Sequence, residues 1–354
     1  MMKKVLMASI LGMGCCAQAQ WTATSLHPDA AYSSYASAAG GSQQVGYGVV
    51  GGMNHASVWS STAASWVDLN PVGASQSSAW AANGSQQAGS ASVGGIFRAS
   101  LWSGTAASWT DLHPAGATAS SISSLTGSQQ AGVAVVSGQP RASLWSGTAA
   151  SWVDLNPAGS TESIAYAASG SRQAGYAKVG SQKHAGVWNG TSASWVDLNP
   201  TGAVESIAFG ASGEKQAGYI ILGSGGIGAS MWSGTAASWM SLHPAGTFGS
   251  VIRAMNESHQ VGEVNVGVDW HASVWSGTSA SWTDLHAFLP AGFTSSRATG
   301  VSSDSFYTYV SGYGYNDLTQ REEALVWMSP VPEPASIAVL GLGAIAVIRR
   351  RHRR

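Results

Sequence analysis

The sequence predicts an all-β fold, a seven-bladed β-propeller made of four-stranded units of about 43 residues. Two tryptophans seven residues apart recur six times, and successive pairs begin 43 or 44 residues apart. The chain has 45 glycines in 354 residues, and only 9% of its residues are charged. A fixed period of this length with many turn residues is typical of propellers, in which each unit forms one small sheet. The pairs are Trp59/Trp66, Trp102/Trp109, Trp145/Trp152, Trp188/Trp195, Trp232/Trp239 and Trp275/Trp282.

Each unit contains four short segments with strand character, as the unit beginning at residue 99 illustrates. Residues 99–102 and 109–112 flank a loop of small residues and predict a hairpin with the two tryptophans opposite each other. Residues 120–125 and 130–136 flank a glycine turn and predict a second hairpin. Four strands per unit fit a propeller blade or one coil of a solenoid.

The two ends of the repeat array favour the closed ring. Residues 21–28 match only the last strand of a unit, because Leu26-His27-Pro28 aligns with Leu112-His113-Pro114. The final unit stops at Trp327, before its second tryptophan strand. The first strand can therefore complete the last blade, which makes seven blades and leaves no open sheet edge. A solenoid would need capping ends, and none is recognisable in the sequence.

The same repeat residues resemble the HAF-type extracellular repeats. The match is carried by His55-Ala56-Ser57-Val58-Trp59, by Asp68-Leu69 and by Gln44-Val45-Gly46, and it extends over residues 21–327. The resemblance implies a repeat fold and an extracellular location but no particular activity. The leading histidine of the motif is replaced in four units, by Arg98, Arg141, Gly228 and Glu323.

The N-terminal residues 1–19 have the pattern of a secretory signal peptide. Lys3 and Lys4 precede an apolar run, and Ala17-Gln18-Ala19 forms a small-x-small cleavage site, so the mature chain is expected to begin at Gln20. A lipoprotein signal using one of the two cysteines is the weaker alternative. Cleavage at the favoured site removes both cysteines, so no disulfide is expected in the exported protein.

The C-terminal residues 329–354 are predicted to be a sorting tail. Pro332, Glu333 and Pro334 lie in a motif at residues 331–336, which is followed by an apolar segment at 337–348 and a basic cluster at 349–354. This order resembles the PEP-CTERM sorting signal of Gram-negative bacteria. The resemblance implies a membrane anchor with its basic end in the cytoplasm and processing near the motif by an exosortase-type enzyme. The apolar segment is short for a spanning helix.

The charge distribution argues against a nucleic-acid partner. The formal net charge of −1 includes seven basic residues at the extreme ends of the chain, whereas residues 20–330 contain nine basic and sixteen acidic side chains. Phosphate binding requires clustered lysine and arginine, which this central region lacks. No metal-ligand spacing or phosphate-binding loop occurs either, so no cofactor or metal site is expected.

Residues that interrupt the repeat are the candidates for ligand binding. Six tryptophan pairs, Trp21 and Trp327 occupy repeat positions, where large side chains are expected to fill the space between blades of small residues. Trp80 and Trp270 lie outside the pattern, and indole faces can stack on sugars. Tyr313 and Tyr315 fall in residues 311–322, which are predicted to form an irregular loop, the usual place for a function unique to one blade. Extra length needed to close the ring explains this loop equally well.

The polar residues that recur in each unit are expected to be structural. An aspartate precedes the turn to the next unit in five of the six complete units, with Ser241 in its place in the fifth, and histidine alternates with asparagine two residues later, as expected for turn capping rather than for metal binding. The aspartates are Asp68, Asp111, Asp154, Asp197 and Asp284. The turn histidines and asparagines are His27, Asn70, His113, Asn156, Asn199, His243 and His286. No catalytic residue is identified.

These features predict an exported repeat protein of the cell surface or extracellular matrix. The favoured hypothesis is a non-catalytic structural or binding module associated with exopolysaccharide. A propeller hydrolase or lyase acting on polysaccharide is one alternative, although it would require a pair of suitably spaced carboxylates. A protein-interaction platform is the other. The predicted organisation is a signal peptide at 1–19, a propeller at 20–328 and the sorting tail at 329–354.

Overall fold

The computed structural model describes residues 20–223 and 225–331, which form seven four-stranded antiparallel sheets around a central channel. The prediction of a seven-bladed β-propeller is confirmed. In each blade the strands pair in the order inner, second, third and outer, and the inner strands line the channel. Blades are numbered from one to seven along the chain, and blade seven contains the N-terminal strand as its outer strand.

The four strands recur in the same order in all seven blades, whereas a 3-10 helix lies between the third and outer strands in blades one to six and a further one follows blade six. The inner strands are Ser34–Gly40, Ala74–Ala82, Ala119–Thr126, Ser163–Ser169, Ala203–Ser212, Gly249–Met255 and Phe293–Ser303. The second strands are Gln43–Val50, Gln87–Val93, Gln129–Val136, Arg172–Val179, Lys215–Leu222, Gln260–Val266 and Tyr307–Asn316. The third strands are Met53–Trp59, Ile96–Trp102, Gln139–Trp145, Gln182–Trp188, Ile227–Trp232, Asp269–Trp275 and Arg321–Pro330. The outer strands are Val67–Asp68, Thr110–Asp111, Val153–Asp154, Val196–Asp197, Met240–Ser241, Thr283–Asp284 and Thr22–Ser25. The 3-10 helices are Ala63–Ser65, Ala106–Ser108, Ala149–Ser151, Ser192–Ser194, Ala236–Ser238, Ser279–Ser281 and His286–Phe288.

The N-terminal strand closes the ring, as the sequence predicts. Thr22 pairs with Met328 and Ser25 pairs with Leu325, so the first strand of the chain completes the sheet that contains the last. The backbone N–H of Leu26 extends this pairing to the carbonyl of Ala324 at 2.7 Å. The closure gives the third strand of blade seven a partner and removes an edge that would otherwise remain open to association.

The first tryptophan of each pair packs between neighbouring blades. Trp102 of blade two is fully buried and contacts Val45, Val58 and Leu69 of blade one. Full burial of a large apolar side chain contributes about 1.5–3 kcal/mol to stability. The interpretation of this position as structural packing is therefore confirmed. The seven equivalent residues are Trp59, Trp102, Trp145, Trp188, Trp232, Trp275 and Trp327.

The second tryptophan of each pair has a different role from the first. Trp109 follows a 3-10 turn and lies just before the two-residue outer strand. The strand predicted at residues 109–112 is therefore limited to Thr110–Asp111. Its indole N–H donates to the hydroxyl of Ser100 at 2.9 Å. In blade four Gly186 replaces the serine, and the indole of Trp195 occupies the space of the missing side chain, since a Cβ there would lie 2.0 Å from Nε1.

A buried serine at the start of each inner strand links that blade to the preceding one. The hydroxyl of Ser120 accepts the backbone N–H of Ala99 at 2.8 Å and bonds Nδ1 of His113 at 2.7 Å. Nε2 of His113 contacts the carbonyl of Ala117 at 3.0 Å, so this ring donates on one side and accepts the serine hydroxyl on the other.

Asparagine makes the same two contacts with its amide group, which explains why the two residue types alternate at this turn. Ser77 donates to Oδ1 of Asn70 at 2.7 Å, and Nδ2 of Asn70 donates to the carbonyl of Ala74 at 3.3 Å. The interpretation of the turn histidine as structural is therefore confirmed for His113, whose two contacts Asn70 reproduces in another blade.

The repeated aspartates cap the turns and also bind the residue that leads the third strand. Oδ1 of Asp111 accepts the backbone N–H of His113 at 2.8 Å, and Oδ2 pairs with Nη1 of Arg98 at 2.9 Å. In blade one, Asp68 pairs with His55 in the same way, at 2.7 Å. Blade five has Gly228 and Ser241 at these two positions, so both members of the pair are absent together.

The turn histidines predict a pH dependence of stability. Burial lowers the pKa of His27, assisted by the charge of Arg321, and burial together with His271 lowers the pKa of His286. The unfolded chain then binds protons before the folded one, so the free energy of unfolding is expected to fall as the pH drops below about 6.5. We expect the double variant His27→Asn/His286→Asn, which adopts the residue of blades two, four and five, to reduce this loss. Urea denaturation at pH 7.5 and 5.5 measures the loss of unfolding free energy on acidification. An equal loss in the unaltered protein and the double variant would show that these two histidines are not its cause.

Candidate functional site

All seven inner strands carry a β-bulge at the same place. In blade two, Ala79 pairs with Gly89 and Ala81 pairs with Ala88, which leaves Trp80 as the extra residue. A bulge re-aims one side chain, and in every blade the bulged residue lines the central channel. These seven residues, which we call the bulge ring, are Ser37, Trp80, Ser123, Tyr166, Phe209, Arg253 and Thr299.

A glycine that recurs on every second strand makes the bulge possible. A Cβ on Gly175 would lie 1.9 Å from the carbonyl oxygen of Ile164 on the inner strand, which no side chain can tolerate. The other six blades show the same approach at 1.8 to 2.1 Å. This glycine ends the repeated Gln-x-Gly sequence, except in blade seven, where Val310 replaces the glutamine. The glycines are Gly46, Gly89, Gly132, Gly175, Gly218, Gly262 and Gly312.

The bulge ring surrounds a cavity of about 740 Å³, which we call the channel cavity. This volume lies within the range of about 300–1,000 Å³ that is usual for small-molecule sites. Along the repeat the bulge position carries serine, tryptophan, tyrosine, phenylalanine, arginine or threonine. The glycine of the second strand and the buried tryptophan of the third strand, in contrast, are the same in every blade. Scaffold residues are thus repeated and channel residues differ between blades, as expected for a site on a rigid frame.

One wall of the channel cavity is a continuous run of aromatic rings from blades seven, one and two. The ring of Tyr313 lies 5.0 Å from that of Tyr35, which stacks on Tyr47 at 4.7 Å. Tyr47 meets Trp80 edge to face at 5.8 Å. Burial raises the pKa of the three tyrosines, so they present neutral hydroxyl groups. Trp80 keeps 39% of its surface exposed and so offers a free indole face to the cavity.

A second aromatic wall lies in blades four and five. Tyr166 and Phe209 line the cavity with ring centres 4.9 Å apart, backed by Tyr176 and Tyr219. Blade three, between the two walls, contributes the small residues Ser121, Ser123 and Val133. The cavity therefore has two flat aromatic faces separated by a hydroxyl-bearing surface.

Charged groups line the remaining side of the cavity, in blades six and seven. The carboxylate of Glu263 is 3% exposed, and its Oε1 accepts hydrogen bonds from Nη2 and Nε of Arg253 at 2.6 and 3.2 Å. The Arg253 guanidinium also lies over the ring of Phe209 at 5.0 Å, a favourable cation–π geometry. Nη1 of Arg297 approaches the same oxygen at 3.8 Å.

The structure brings together two of the four residues predicted to bind ligand. Trp80 and Tyr313 line the channel cavity, whereas Tyr315 hydrogen-bonds Gln320 at a hairpin tip. Trp270 lies at the start of a third strand with its ring against Gly249, away from the cavity. The predicted irregular loop at 311–322 is wrong, because it belongs to two paired strands joined by a short turn. Aromatic residues on alternating positions, as in Tyr307 to Tyr315, already indicate a strand.

Sequence reasoning missed Tyr35, Tyr47, Tyr166, Phe209, Arg253, Glu263 and Arg297. The signal that singled out Trp80, a residue unlike its counterparts in other units, was present at the bulge position of every unit. Alignment of the units on the Gln-x-Gly sequence places Tyr166, Phe209 and Arg253 in the same column as Trp80.

The smaller cavity and the C-terminal end of the propeller lie at opposite faces. A smaller cavity of about 230 Å³ adjoins the channel cavity and is lined by Ser295, Arg297 and Glu322, from the beginnings of the inner and third strands of blade seven. Pro330 ends that third strand, at the other face. Beyond the bulges, neighbouring inner strands approach closely, since a Cβ on Gly300 would lie 2.6 Å from the Cα of Ala38.

Residues 330–354 match the model of the PEP-CTERM protein-sorting motif. The match includes Pro332, Glu333 and Pro334. A motif of this class is a sorting signal read by an exosortase. The chain is an exported protein. Among the described residues no helix is long and apolar enough to cross a membrane, and the predicted signal peptide and the tail from residue 332 onward lie outside the described residues.

Solved structures similar to this chain are propeller domains at low sequence identity. The β-propeller domain of the Trilobed protease from Pyrococcus furiosus, described as having an open velcro topology, matches with a TM-score of 0.56 and 10% identity over 85% of this chain and 98% of that chain. A puromycin-hydrolyzing peptidase from Mycobacterium tuberculosis matches with a TM-score of 0.55 and 15% identity over 85% of this chain and 54% of that chain. TolB from Acinetobacter baumannii matches with a TM-score of 0.48 and 11% identity over 70% of this chain and 62% of that chain.

The chain thus spans about half of the peptidase and less than two thirds of TolB. At these identities the likeness establishes the propeller fold alone. A search among curated proteins finds no significant match to this chain.

Proposed function

We propose that this exported propeller is a non-catalytic carbohydrate-binding protein of the cell surface or extracellular matrix, which holds exopolysaccharide in its channel cavity. The observation that carries the proposal is the bulge ring, because each blade aims one side chain into a single cavity and three of the seven are aromatic. Flat aromatic faces flanked by hydroxyl groups suit sugar rings, which combine apolar C–H faces with polar edges.

The geometry of the cavity favours binding over hydrolysis. Oε1 of Glu263, the buried acid of the channel cavity, is held by the guanidinium of Arg253. Glycoside hydrolysis needs two carboxylates on either side of the bond that is cleaved. Among the described residues Glu263 is the acid that lines the channel cavity, whereas Glu322 lines the smaller cavity beside it. Arg253 instead fixes Glu263 as an oriented acceptor for a ligand hydroxyl.

Export and cleavage of the tail would deliver the propeller to the cell surface. Cleavage near Pro332-Glu333-Pro334 by an exosortase-type enzyme would release a body of residues 20–328 to the surface, after removal of residues 1–19 during export. The smaller cavity that adjoins the channel lies at the face opposite Pro330, which supports binding both before and after cleavage. We further propose that the units are divergent HAF-type repeats, in which an Arg–Asp pair replaces the His–Asp pair in two blades.

Binding to the host's own extracellular polysaccharide tests the function. We expect the exported protein to bind this fraction in affinity electrophoresis, and Trp80→Ala to weaken binding by about tenfold, since loss of one stacked aromatic contact costs up to about 1.5 kcal/mol. Trp270→Ala is the matched control and is expected to bind as the unaltered protein does. Absence of binding would refute the proposal, and loss of binding in the Trp270 variant alone would move the site away from the channel.

A further inference from the structure

The charge lining the channel differs from that of the rest of the propeller. Residues 20–331 contain nine basic and sixteen acidic side chains, so the body is acidic. The charged residues that line the channel cavity are Arg253, Arg297 and Glu263, which give an excess of one positive charge. A concave site with low-dielectric walls concentrates such a charge, so the channel attracts anions that the outer surface repels.

The two arginines use their hydrogen-bonding capacity differently. Arg253 directs two of its donors to Oε1 of Glu263 and stacks on Phe209, so its position is fixed by the protein. Within the described residues Arg297 donates no hydrogen bond, and its ion pair with Glu263 is long, at 3.8 Å. Its side chain is 40% exposed and lines both cavities. Arg297 therefore presents a planar set of N–H donors, the geometry that binds a carboxylate with two parallel bonds.

Aromatic and acceptor groups surround the Arg297 guanidinium. The rings of Tyr35 and Tyr313 line both cavities with Arg297. Oε2 of Glu263 is buried and has no hydrogen-bond partner within the described residues. A buried carboxylate oxygen without a donor is uncommon, and a ligand hydroxyl would satisfy it.

Glu322, at the smaller cavity, does not oppose an anionic ligand as strongly as an ordinary glutamate would. Burial raises the pKa of Glu322, an effect that Arg297 partly offsets. A raised pKa increases the fraction of this side chain that is neutral at a given pH. Glu322 lines the smaller cavity and not the channel cavity, whose lining keeps its excess of one positive charge.

We propose that the channel selects acidic saccharides, with a sugar carboxylate bound by Arg297 and a neighbouring sugar hydroxyl donating to Oε2 of Glu263. The ring that carries the carboxylate would lie against Tyr35 and Tyr313. This inference rests on the proposed carbohydrate-binding function and adds the ligand class, a uronate-containing polysaccharide.

The test compares the host's extracellular polysaccharide before and after its carboxyl groups are chemically reduced to alcohols. We expect reduction to weaken binding by the full-length exported protein by at least about tenfold, since a charge-assisted bidentate contact is lost. Arg297→Gln should weaken binding of the untreated polysaccharide by a similar factor and leave binding of the reduced form unchanged. Arg297→Lys, which retains the charge without the planar fork, should fall between the two.

Arg98→His is the control, because it makes a change that the repeat itself makes at His55 and lies away from the channel. It should keep the full preference for the untreated polysaccharide. Equal binding of untreated and reduced polysaccharide, or an unchanged preference in a folded Arg297→Gln protein, overturns the acidic ligand class while the carbohydrate-binding function stands. Failure to bind either form of the polysaccharide overturns both proposals.

Discussion

Replacement of Trp145 by alanine is expected to lower the free energy of unfolding by about 3–5 kcal/mol, the usual loss when a fully buried large aromatic is truncated. Trp145 fills the space between blades two and three, where it contacts Leu101, Leu112 and Ile122. The other fully buried members of this cluster, Ala88, Ala99 and Ala134, are too small to move into the gap. The alanine variant would therefore keep a cavity between two sheets, and urea denaturation measures the resulting loss.

Trp152, the second tryptophan of the same pair, provides the matched control. It is only partly buried, and its indole N–H makes one hydrogen bond to Ser143 at 2.9 Å. We expect Trp152→Ala to cost about 1–2 kcal/mol, from reduced burial and one lost hydrogen bond. Equal losses in the two variants would show that the first tryptophan has no special role between the blades.

Replacement of Gly175 by alanine is expected to destabilise the protein by about 3 kcal/mol, although it adds only one methyl group. The new Cβ would lie 1.9 Å from the carbonyl oxygen of Ile164, and this neighbour is backbone that cannot rotate away. The inner strand must shift, so the bulge that aims Tyr166 into the channel changes as well. Overpacking of this kind usually costs about 1–3 kcal/mol, and strained backbone places the cost at the upper end.

Two measurements distinguish this effect from a general intolerance of glycine substitution. Gly226→Ala adds a methyl group that meets no atom of the described, non-adjacent residues within 4 Å, and it is expected to change stability by less than about 0.5 kcal/mol. Gly175→Ala should also weaken polysaccharide binding at a temperature at which the variant is folded, because Tyr166 moves. A stable Gly175→Ala protein with unaltered binding would contradict the link between glycine, bulge and channel.

Much of the scaffold could be predicted from the sequence because its determinants are repeated locally. In blades one to six the tryptophan at the end of the third strand and the His or Asn of the turn recur every 43 or 44 residues. The turn Asp, which blade five replaces with Ser241, caps the turn in the same way in blades one and two. The half-units at Trp21 and Trp327 predicted the closure of the ring, and Thr22 pairs with Met328 as expected.

The candidate site was only partly predictable, for a physical reason that Trp80 and Trp270 illustrate. Both interrupt the repeat, but only Trp80 occupies a bulge and lines the channel. In a strand of period two, one extra residue reverses the direction of the next side chain, and hydropathy alone does not show where that residue lies. The wrongly predicted loop at 311–322 has a different cause, because the alternating tyrosines of residues 307–315 already indicate the strand that pairs with residues 293–303.

The sequence by itself determined the number of blades, the closure of the ring and the sorting signal at the end of the chain, because each of these depends on short or regularly spaced motifs. Only the tertiary structure decided which side chains share one cavity. Tyr35 and Tyr313 are separated by nearly the whole chain, yet their rings lie 5.0 Å apart. They meet because blade seven packs against blade one when the ring closes, a long-range contact that no local pattern records.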